Sequence, residues 1–538
     1  MNQPLSDDQR AFKRVHFVGV AGSGMASIAL VAHCCGIKVS GSDLNVSSYV
    51  QPLLDAGVPV IFEHSAANVS DPELELVVVS TAIPSTNPEL IAAAERGIEV
   101  WPRARMLAYL GKDRKVLAVS GTHGKTTTSA LLTTALIELG ADPSFLLGGI
   151  PTAFETSARY RPGPYMVMEA DESDASFVWL NPQVIIITNI EADHLDHFES
   201  LEDIKRSFLA FLDKLAPEGM AIICADSAGL EELVAASNKP YITYGRKAGA
   251  DVQLVVDEGN ASQPHVLFSL SRPFDRSSES DQGPPTPVSA ITGSVAEALE
   301  PMSSVSTSAS SLTTRPDSCA LLGSSENAAE PADAVSLELG AAPGIHNLLN
   351  ATAVLAALDW LGFDRRAAAR ACVGFAGVHR RFEHIGMAAG VLVVDDYGHH
   401  PTEVSATLAA AQGLGFTQVH LLFQPHRYTR TQAFLREFAA AFDDADSITL
   451  MDIYTAGEAP IAGIDSTVLL RAIKAHNPGA RARLISKRDS IAAAMADVAA
   501  SGSVIITMGA GDVTQLAPQI LAALQHCQGR ASATEEAV

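Results

Sequence analysis

Residues 115–128 read KVLAVSGTHGKTTT. The apolar residues at 115–120 predict a buried β-strand, and the segment from Lys125 predicts a helix that continues to about residue 139. The loop between them is rich in glycine, so successive backbone N–H groups can cradle phosphate oxygens, with Lys125 neutralising the charge and Thr126 binding Mg²⁺. The general phosphate-loop pattern has glycine where this chain has Val119. The stretch therefore predicts a nucleotide-binding α/β module.

The same alternation of short apolar strands and alanine-rich helical stretches extends over most of the chain. It is typical of parallel sheets that are covered by helices on both faces. The alternation starts afresh twice, which predicts three α/β modules, at residues 1–112, 113–378 and 379–538. Three modules agree with about 150 residues per domain. Strands are expected at residues 15–20, 39–42, 76–80, 115–120, 165–169, 184–189, 220–224, 391–395, 419–423, 447–451 and 504–508.

One segment departs from this pattern. Residues 273–334 contain 14 Ser, 5 Thr and 7 Pro among 62 residues, with Phe274 as the only aromatic residue. Such a composition buries too little apolar surface to offset the loss of chain entropy, and it predicts disorder. The flanking residues 265–270 and 334–339 both resemble strands, so we expect the segment to be a long insertion in a hairpin.

The composition limits the classes of function. A hydrophobic fraction of 47% excludes wholesale disorder, and a formal net charge of −24 argues against binding to nucleic acid or to an anionic membrane. Six cysteines without a CxxC pair predict reduced thiols rather than a disulfide framework or a zinc site. The N-terminal residues form no apolar signal segment, and no apolar run approaches the roughly 18 residues of a membrane span. We therefore expect a cytoplasmic protein, monomeric or homodimeric, with no nucleic-acid or membrane partner.

A second glycine loop, GVAGSGM at residues 19–25, joins the first expected strand to the first expected helix. Glycines allow the backbone to approach a ligand closely, and a helix N-terminus favours a pyrophosphate group. About 20 residues further on, Asp43 ends the next strand, where an acid can accept a hydrogen bond from a ribose or a base. The spacing differs from G-x-G-x-x-G, and a plain tight turn remains the alternative. NAD and a UDP group are the two candidate ligands.

Acidic residues follow two strands of the central module, in EADESD at 169–174 and in NIEADHLD at 189–196. The carboxyl ends of parallel strands face the same crevice as the phosphate loop. Carboxylate oxygens such as those of Glu169 suit Mg²⁺, and His194 is a plausible ligand of a second metal ion. The alternative, in particular for Asp174 and Asp196, is that these acids are solvated helix caps.

These motifs occur in the order found in the Mur ligases, a family that the chain resembles over nearly its whole length apart from the insertion and the termini. The resemblance rests on GVAGSGM, SGSD, GTHGKTTT, EADESDASF, TNIEADHLD, PGIHNLLNA, RRFE, DDYGHHPTE, QPHRYTR and GAGD. It implies an N-terminal Rossmann-like module that binds a UDP substrate, a central P-loop ATPase module with a mainly parallel sheet, and a C-terminal Rossmann-like module. Ala21 stands where the family more often has glycine, and Arg105 where it more often has glutamate.

The resemblance implies ATP as co-substrate and Mg²⁺ as cofactor, with two magnesium ions expected. Lys125 and Thr126 would hold the ATP phosphates and one magnesium ion. The implied metal ligands are Thr126, Glu169 and His194. The implied ATP-binding residues are Gly121, Thr122, His123, Gly124, Lys125, Thr126, Thr127, Asn347, Asn350, Arg381 and Asp396.

The resemblance also implies an amino-acid pocket lined by Tyr397 and His399. Arg427 and Arg430 would bind the amino-acid carboxylate, a group that guanidinium forks suit. If QPHRYTR opens a helix, their spacing of three residues places both arginines on one face. The expected catalytic residues are Lys125, Arg381 and His399, with His399 as a candidate base. The expected UDP-substrate contacts are Gly22, Ser23, Gly24, Met25, Ser42, Asp43, His64 and Ser80.

The activity that the resemblance implies is an ATP-dependent ligation in peptidoglycan precursor synthesis. The lactyl carboxylate of UDP-N-acetylmuramate would attack the γ-phosphate to give an acyl phosphate, and the amine of L-alanine would then displace phosphate. The alternative is the ligase that attaches recycled murein tripeptide to the same nucleotide sugar, which generally has Phe-Ala where this chain has Tyr397-Gly398. A dehydrogenase would leave GTHGKTTT unexplained, and a non-catalytic nucleotide sensor would not need the metal-binding and carboxylate-binding residues.

Overall fold

The computed structural model describes residues 11–171, 176–191, 198, 200–256, 264–269, 334–339 and 342–535. Within these residues the chain forms three α/β modules, each built on its own sheet. The predicted three-module architecture is therefore confirmed, whereas the module boundaries stay predictions. None of the helices in the described part of the chain is both long enough and apolar enough to cross a membrane.

The N-terminal module is built on a parallel sheet of five strands. Its elements are β1 (Arg14–Val18), α1 (Ser23–Cys34), β2 (Lys38–Ser42), α2 (Gln51–Asp55), β3 (Val60–Ile61), β4 (Leu76–Val79), α3 (Pro88–Glu95), β5 (Glu99–Pro102) and α4 (Arg103–Gly111). The strand order is β3-β2-β1-β4-β5. β1 ends two residues earlier than the expected strand 15–20. The reason is that Gly19 has a φ of +82°, which lies outside the β region. The glycine loop therefore begins at the carboxyl end of β1.

The central module contains a sheet of ten strands in the order β15-β14-β13-β12-β11-β10-β6-β9-β7-β8. Its seven inner strands run parallel, and β14 and β8 are antiparallel to their inner neighbours. The strands are β6 (Lys115–Ser120), β7 (Ser144–Leu146), β8 (Ala158–Arg159), β9 (Tyr165–Glu169), β10 (Val184–Ile187), β11 (Met220–Cys224), β12 (Tyr241–Gly245), β13 (Val252–Val255), β14 (His265–Phe268) and β15 (Ala334–Ser336). The helices are α5 (Lys125–Glu138), α6 (Leu201–Leu212), α7 (Leu230–Ala236), α8 (Ile345–Trp360) and α9 (Arg365–Val373).

The expected insertion at residues 273–334 lies outside the described residues, except that Ala334 begins β15. The two segments that flank it, β14 and β15, are neighbours at one edge of the sheet. The described residues therefore agree with two flanking strands, and the disorder of the segment between them stays a prediction.

The C-terminal module contains a sheet of six strands in the order β16-β17-β21-β18-β19-β20. Only β16 runs antiparallel to its neighbour among these strands. The strands are β16 (Glu383–Ala388), β17 (Val391–Asp396), β18 (Val419–Phe423), β19 (Ser447–Leu450), β20 (Ala482–Leu484) and β21 (Val504–Met508). The helices are α10 (Pro401–Gly413), α11 (Tyr428–Ala433), α12 (Leu435–Ala441), α13 (Ser466–His476), α14 (Ile491–Ala496) and α15 (Leu516–Glu535).

Buried apolar side chains form the cores of the modules. One cluster of buried apolar side chains runs without interruption from the N-terminal sheet into the central module, through Met106 and Leu107 of α4. The C-terminal module has its own two clusters, one on each face of its sheet.

Candidate active site

The phosphate loop follows β6 and leads into α5, as predicted. Gly121 and Gly124 have φ angles of +128° and +85°, in the region that L-residues rarely adopt. A Cβ atom on Gly121 would also lie 3.0 Å from the backbone nitrogen of Asn189. The Nζ atom of Lys125 donates hydrogen bonds to the carbonyl oxygens of Gly121 at 2.7 Å and Thr122 at 3.2 Å. The lysine charge therefore lies directly over the loop.

Two residues after β10 hold this loop from the side. Asn189 accepts a hydrogen bond from the backbone N–H of His123 at 2.9 Å and donates to its carbonyl oxygen at 3.1 Å. The hydroxyl of Thr188 donates to the same carbonyl at 2.5 Å. These contacts explain why the strand ends at Ile187 and not at the expected residue 189, because both side chains turn toward the loop. Sequence analysis had assigned neither residue to the site.

Glu169, the last residue of β9, brings a carboxylate to the start of α5. Its Oε1 accepts a hydrogen bond from the hydroxyl of Thr126 at 3.0 Å, and its Oε2 accepts one from the backbone N–H of Gly148 at 2.8 Å. Burial raises the pKa of Glu169, while the charge of Lys125 opposes that shift. A hydroxyl and a carboxylate side by side are the hard oxygen ligands that Mg²⁺ prefers. The third expected ligand, His194, lies outside the described residues.

A cavity of about 410 Å³ opens behind the phosphate loop, between the central and C-terminal modules. Asn347 and Asn350, both near the start of α8, line it together with Arg381 and Asp396. The amide of Asn350 donates to Oδ1 of Asn347 at 3.3 Å, and its own Oδ1 would be 2.9 Å from a Cβ atom on Gly124. These are the four residues outside the phosphate loop that were expected to contact the nucleotide. The fold brings all four together beside the phosphate loop.

Asp396 is the buried carboxylate of that group. Its carboxylate accepts hydrogen bonds from the backbone N–H groups of Phe382 at 2.8 Å and Gly398 at 2.7 Å. Burial raises the pKa of Asp396 to about 6, against the opposing charge of Arg381. The carboxylate therefore fixes the turn that carries Arg381 on one side and the Tyr397–His399 loop on the other.

A second cavity of about 550 Å³ receives residues from all three modules. The central module contributes Lys125, Thr126 and Glu169 to its lining. The N-terminal module contributes Ser23 and Gly24 from the start of α1. The C-terminal module contributes Tyr397, His399, Arg427 and Arg430. All four expected amino-acid contacts therefore line the same cavity as Thr126 and Glu169, two of the three expected magnesium ligands.

The prediction that one helical face carries both arginines is wrong for Arg427. The helix α11 begins at Tyr428, and Arg427 precedes it with a φ of +69°. Arg430 lies within the helix and is almost completely buried. Its Nη1 is 3.3 Å from Nδ1 of His426. The two guanidinium groups reach the cavity from a bend and from a helix, respectively.

Other expected UDP contacts brace the glycine loop or the core. Asp43 accepts a hydrogen bond from the backbone N–H of Ala21 at 2.9 Å and thereby holds the loop closed. Gly22 is the N-cap residue of α1, and Met25 packs in the apolar core. Ser80 donates its backbone N–H to the carbonyl of Val18. Of the eight expected contacts, only Ser23 and Gly24 line the large cavity.

Ser42 and His64 meet at a buried carboxylate that sequence analysis missed. The hydroxyl of Ser42 donates to Oε2 of Glu89 at 2.7 Å, Nδ1 of His64 lies 3.1 Å from the same oxygen, and the amide of Asn68 donates to Oε1. Glu89 is fully buried in α3. Burial alone would raise the pKa of Glu89, but the contacts with His16, Asn68 and Ser42 outweigh it and lower the pKa to about 2. An ionised anchor therefore orients His64.

Comparisons with known proteins agree with this arrangement. Family models match the chain in order: the Mur ligase family, catalytic domain, at residues 14–115, the Mur ligase middle domain at 119–273, and the Mur ligase, glutamate ligase domain, at 380–511. With three α/β modules around a phosphate loop, the chain belongs to the Mur ligase family. This confirms the resemblance on which the sequence analysis relied.

Individual relatives cover almost the whole chain. A UDP-N-acetylmuramate–L-alanine ligase of Syntrophotalea carbinolica is 36% identical over 515 residues, which are 96% of this chain and 98% of the relative. One of Methylorubrum extorquens is 39% identical over 518 residues, or 95% and 98% of the two chains. The crystal structure of a UDP-N-acetylmuramate-alanine ligase of Thermotoga maritima superposes with a TM-score of 0.68 at 25% identity, over 96% of this chain and 99% of that one. A murein peptide ligase of Psychrobacter arcticus shares the fold, with a TM-score of 0.61 at 24% identity and coverage of 95% and 99%.

Proposed function

We propose that the chain joins L-alanine to the lactyl carboxylate of UDP-N-acetylmuramate, using ATP and releasing ADP and phosphate. The observation that carries the proposal is the single cavity that phosphate-loop residues, the start of α1, Arg427 and the buried Arg430 line together. The nearly full-length similarity to proteins named for this activity supports it. ATP and UDP-linked sugars are cytoplasmic metabolites, and we place the reaction there.

The chemistry explains why such a cavity is needed. A carboxylate is a poor electrophile because its charge repels nucleophiles and oxide is a very poor leaving group. Phosphorylation by ATP converts it to an acyl phosphate, which an amine can attack with loss of phosphate. Phosphoryl transfer requires positioning and neutralisation of the charge that spreads over the γ-phosphate. Lys125 would neutralise that charge, and the loop at residues 121–124, whose backbone Asn189 holds in place, would position the phosphates.

Thr126 and Glu169 would hold a magnesium ion, and we propose His194 as a ligand of a second. When bound, magnesium neutralises negative charge on the ATP phosphates. The donor set fits, since the hydroxyl of Thr126 and the carboxylate of Glu169 already lie within 3.0 Å of each other. Burial alone would favour the protonated carboxyl group of Glu169, so a cation beside it would restore the ionised form.

We propose that His399 accepts the proton from the ammonium group of L-alanine. The Nδ1 atom of His399 lies 3.1 Å from the carbonyl oxygen of Tyr397. Because a carbonyl oxygen only accepts hydrogen bonds, Nδ1 carries the proton of the neutral ring and Nε2 is the basic atom. Arg427 and Arg430 would bind the carboxylate of L-alanine in the same cavity. Its amine would then be free to attack the acyl phosphate.

The tripeptide-recycling ligase remains the second candidate, and this chain differs from it at Gly398. That enzyme generally has alanine at this position. A Cβ atom on Gly398 would lie 2.7 Å from Oδ1 of Asp396 and would also collide with the end of Met508. The loop in this chain therefore packs as glycine requires, so that a residue with a side chain would displace the Asp396 carboxylate.

A phosphate-release assay with ATP, Mg²⁺ and UDP-N-acetylmuramate tests the proposal. L-Alanine, glycine, L-serine and the murein tripeptide are compared as amines, and we expect the highest kcat/KM for L-alanine. A higher value for the tripeptide would establish the second candidate instead. Lys125→Ala is expected to lower the rate by at least about 10²- to 10³-fold, because the developing phosphate charge loses its cation.

A further inference from the structure

Glu403 is a largely buried carboxylate at the start of α10, with its side chain 14% exposed, that the reaction described above does not use. Its Oε2 accepts hydrogen bonds from the backbone N–H groups of His399 at 2.9 Å and His400 at 3.2 Å. Together with His400 as the N-cap residue it forms a capping box. Burial would raise the pKa of Glu403, but the contacts with His399, His123 and Arg381 outweigh it and hold the pKa well below its usual range. The carboxylate is therefore ionised at neutral pH.

The other oxygen of this carboxylate reaches out of its own module. Oε1 of Glu403 lies 3.3 Å from Nδ1 of His123, a phosphate-loop residue, and 3.6 Å from Nη1 of Arg381. On the opposite side of the same imidazole, Nε2 of His123 lies 3.8 Å from Oε2 of Glu191. Glu191 in turn accepts a hydrogen bond from the hydroxyl of Thr402 at 2.9 Å. One carboxylate from the central module and one from the C-terminal module therefore flank the imidazole of the phosphate loop.

The group His123, Glu191 and His400 also has the spacing of a metal site, with one ligand atom of each within 4.8 Å of the others. The hydrogen bonds argue against that use. The backbone N–H of Thr402 donates to Nδ1 of His400 at 3.3 Å. Because Nδ1 accepts, the neutral ring carries its proton on Nε2, which is then a donor and not a metal ligand. The cluster is consistent with a hydrogen-bonded contact between modules.

We propose that Glu403 is a positioning residue. It fixes the loop at residues 397–400, which would present the amino acid, relative to the loop at residues 121–124, which would bind the ATP phosphates. One oxygen of the carboxylate accepts a hydrogen bond from the backbone of His399. The other oxygen contacts the side chain of His123, whose backbone N–H is bonded to Asn189. The inference rests on the proposed function, because the two loops carry the two halves of the ligation. Loss of the charge would let the loops shift relative to each other, and shifts of about 1 Å lower enzymatic rates by up to about 100-fold.

The first test measures the contact itself, without any turnover. Glu403→Gln keeps the size of the side chain and removes its charge, and hydrogen exchange is followed in the ligand-free protein. We expect exchange to accelerate by about threefold or more both at residues 399–400 and at residues 121–124, which belong to another module. Asp364→Asn is the matched control, because Asp364 caps α9 by accepting from the backbone N–H of Ala367 at 2.8 Å and takes no part in the cavities. The control should leave residues 121–124 unchanged.

The second test is a double-mutant cycle with His123→Gln. The amide of glutamine can replace Nε2 of the imidazole but does not reach the position of Nδ1, so this variant loses the contact with Glu403. Each single variant is expected to lower kcat about 10- to 100-fold with smaller changes in KM. The double variant should be no more than about twofold slower than the slower single variant, since both substitutions remove one interaction.

Two results would overturn the inference. If Glu403→Gln accelerates exchange only at residues 399–400, the carboxylate caps its own helix and does nothing more. If the effects on kcat multiply in the double variant, the two residues act independently. A failure of the proposed ligation is recognised separately, because the wild-type protein would then release no phosphate with L-alanine while the exchange experiment still reports on the contact.

Discussion

Gly148 offers a way to displace Glu169 without removing its carboxylate. The backbone N–H of Gly148 donates to Oε2 of Glu169, and the residue does not adopt a positive φ, so its backbone tolerates alanine. A Cβ atom there would lie 2.6 Å from Cδ and 2.7 Å from Oε2 of Glu169, whereas ordinary contact begins at 3.4 Å. The carboxylate must therefore retreat by roughly 0.7–1 Å to relieve the overlap.

A displacement of this size is expected to lower kcat about 100-fold, which is about 2.7 kcal/mol of transition-state stabilisation. If Glu169 holds magnesium, Gly148→Ala also raises the Mg²⁺ concentration for half-maximal rate about 10- to 100-fold. Phosphate release is measured against Mg²⁺ concentration at saturating ATP, UDP-N-acetylmuramate and L-alanine. Gly413→Ala is the control, because a Cβ at the end of α10 meets no atom within 4 Å. A folded Gly148→Ala protein with the wild-type rate and Mg²⁺ dependence would refute the assignment of Glu169.

Three further substitutions test other parts of the molecule. Arg430→Ala is expected to raise the KM for L-alanine by the equivalent of about 2–5 kcal/mol and to leave the KM for ATP nearly unchanged; the reverse pattern would place Arg430 at the nucleotide. The pKa of Glu89 is about 2 in the folded protein, against an ordinary value of 4.5. Its ionised form therefore stabilises the fold by about 3 kcal/mol above about pH 4.5, and this contribution is lost as the pH falls toward 2. Denaturant unfolding should therefore show a loss of stability in Glu89→Gln that is large at pH 7 and shrinks at pH 3, and a pH-independent difference would contradict this reasoning. Replacement of residues 273–333 by a short Gly/Ser linker should keep kcat within a few-fold, because loop closure depends weakly on length; an unfolded or inactive product would show that the segment packs or binds.

Sequence patterns predicted the three-module architecture and thirteen of the twenty-one strands described, because both depend on local order. A buried apolar run followed by glycines and a helix predicts a strand, a loop and a helix wherever it occurs, and β6, β9, β11, β18 and β21 have the expected bounds. Eight short or edge-side strands, β3, β5, β7, β8, β12, β13, β16 and β20, were not predicted, and two of the differences at strand ends occur in loops of the candidate site. Thr188 and Asn189 leave β10 because their side chains hold the phosphate loop, and Gly19 ends β1 with a positive φ.

The missed residues depend on contacts between distant parts of the chain. Glu89 follows Asn87 and Pro88, which is the ordinary start of a helix, and nothing local shows that it is buried against Ser42 and His64. Glu403 has the spacing of a capping box, but a histidine occupies the N-cap position, where Ser or Thr is usual. Its contact with His123 joins two modules and has no counterpart in the sequence pattern.

The most direct test of the acyl-phosphate reaction follows one oxygen atom. UDP-N-acetylmuramate labelled with ¹⁸O in its lactyl carboxylate is incubated with the protein, ATP, Mg²⁺ and L-alanine, and the products are analysed by mass spectrometry. If the carboxylate attacks the γ-phosphate and the amine then displaces phosphate, one ¹⁸O atom per turnover appears in the released phosphate and the other stays in the new amide. Released phosphate that contains no ¹⁸O, at a rate equal to that of amide formation, would contradict the account.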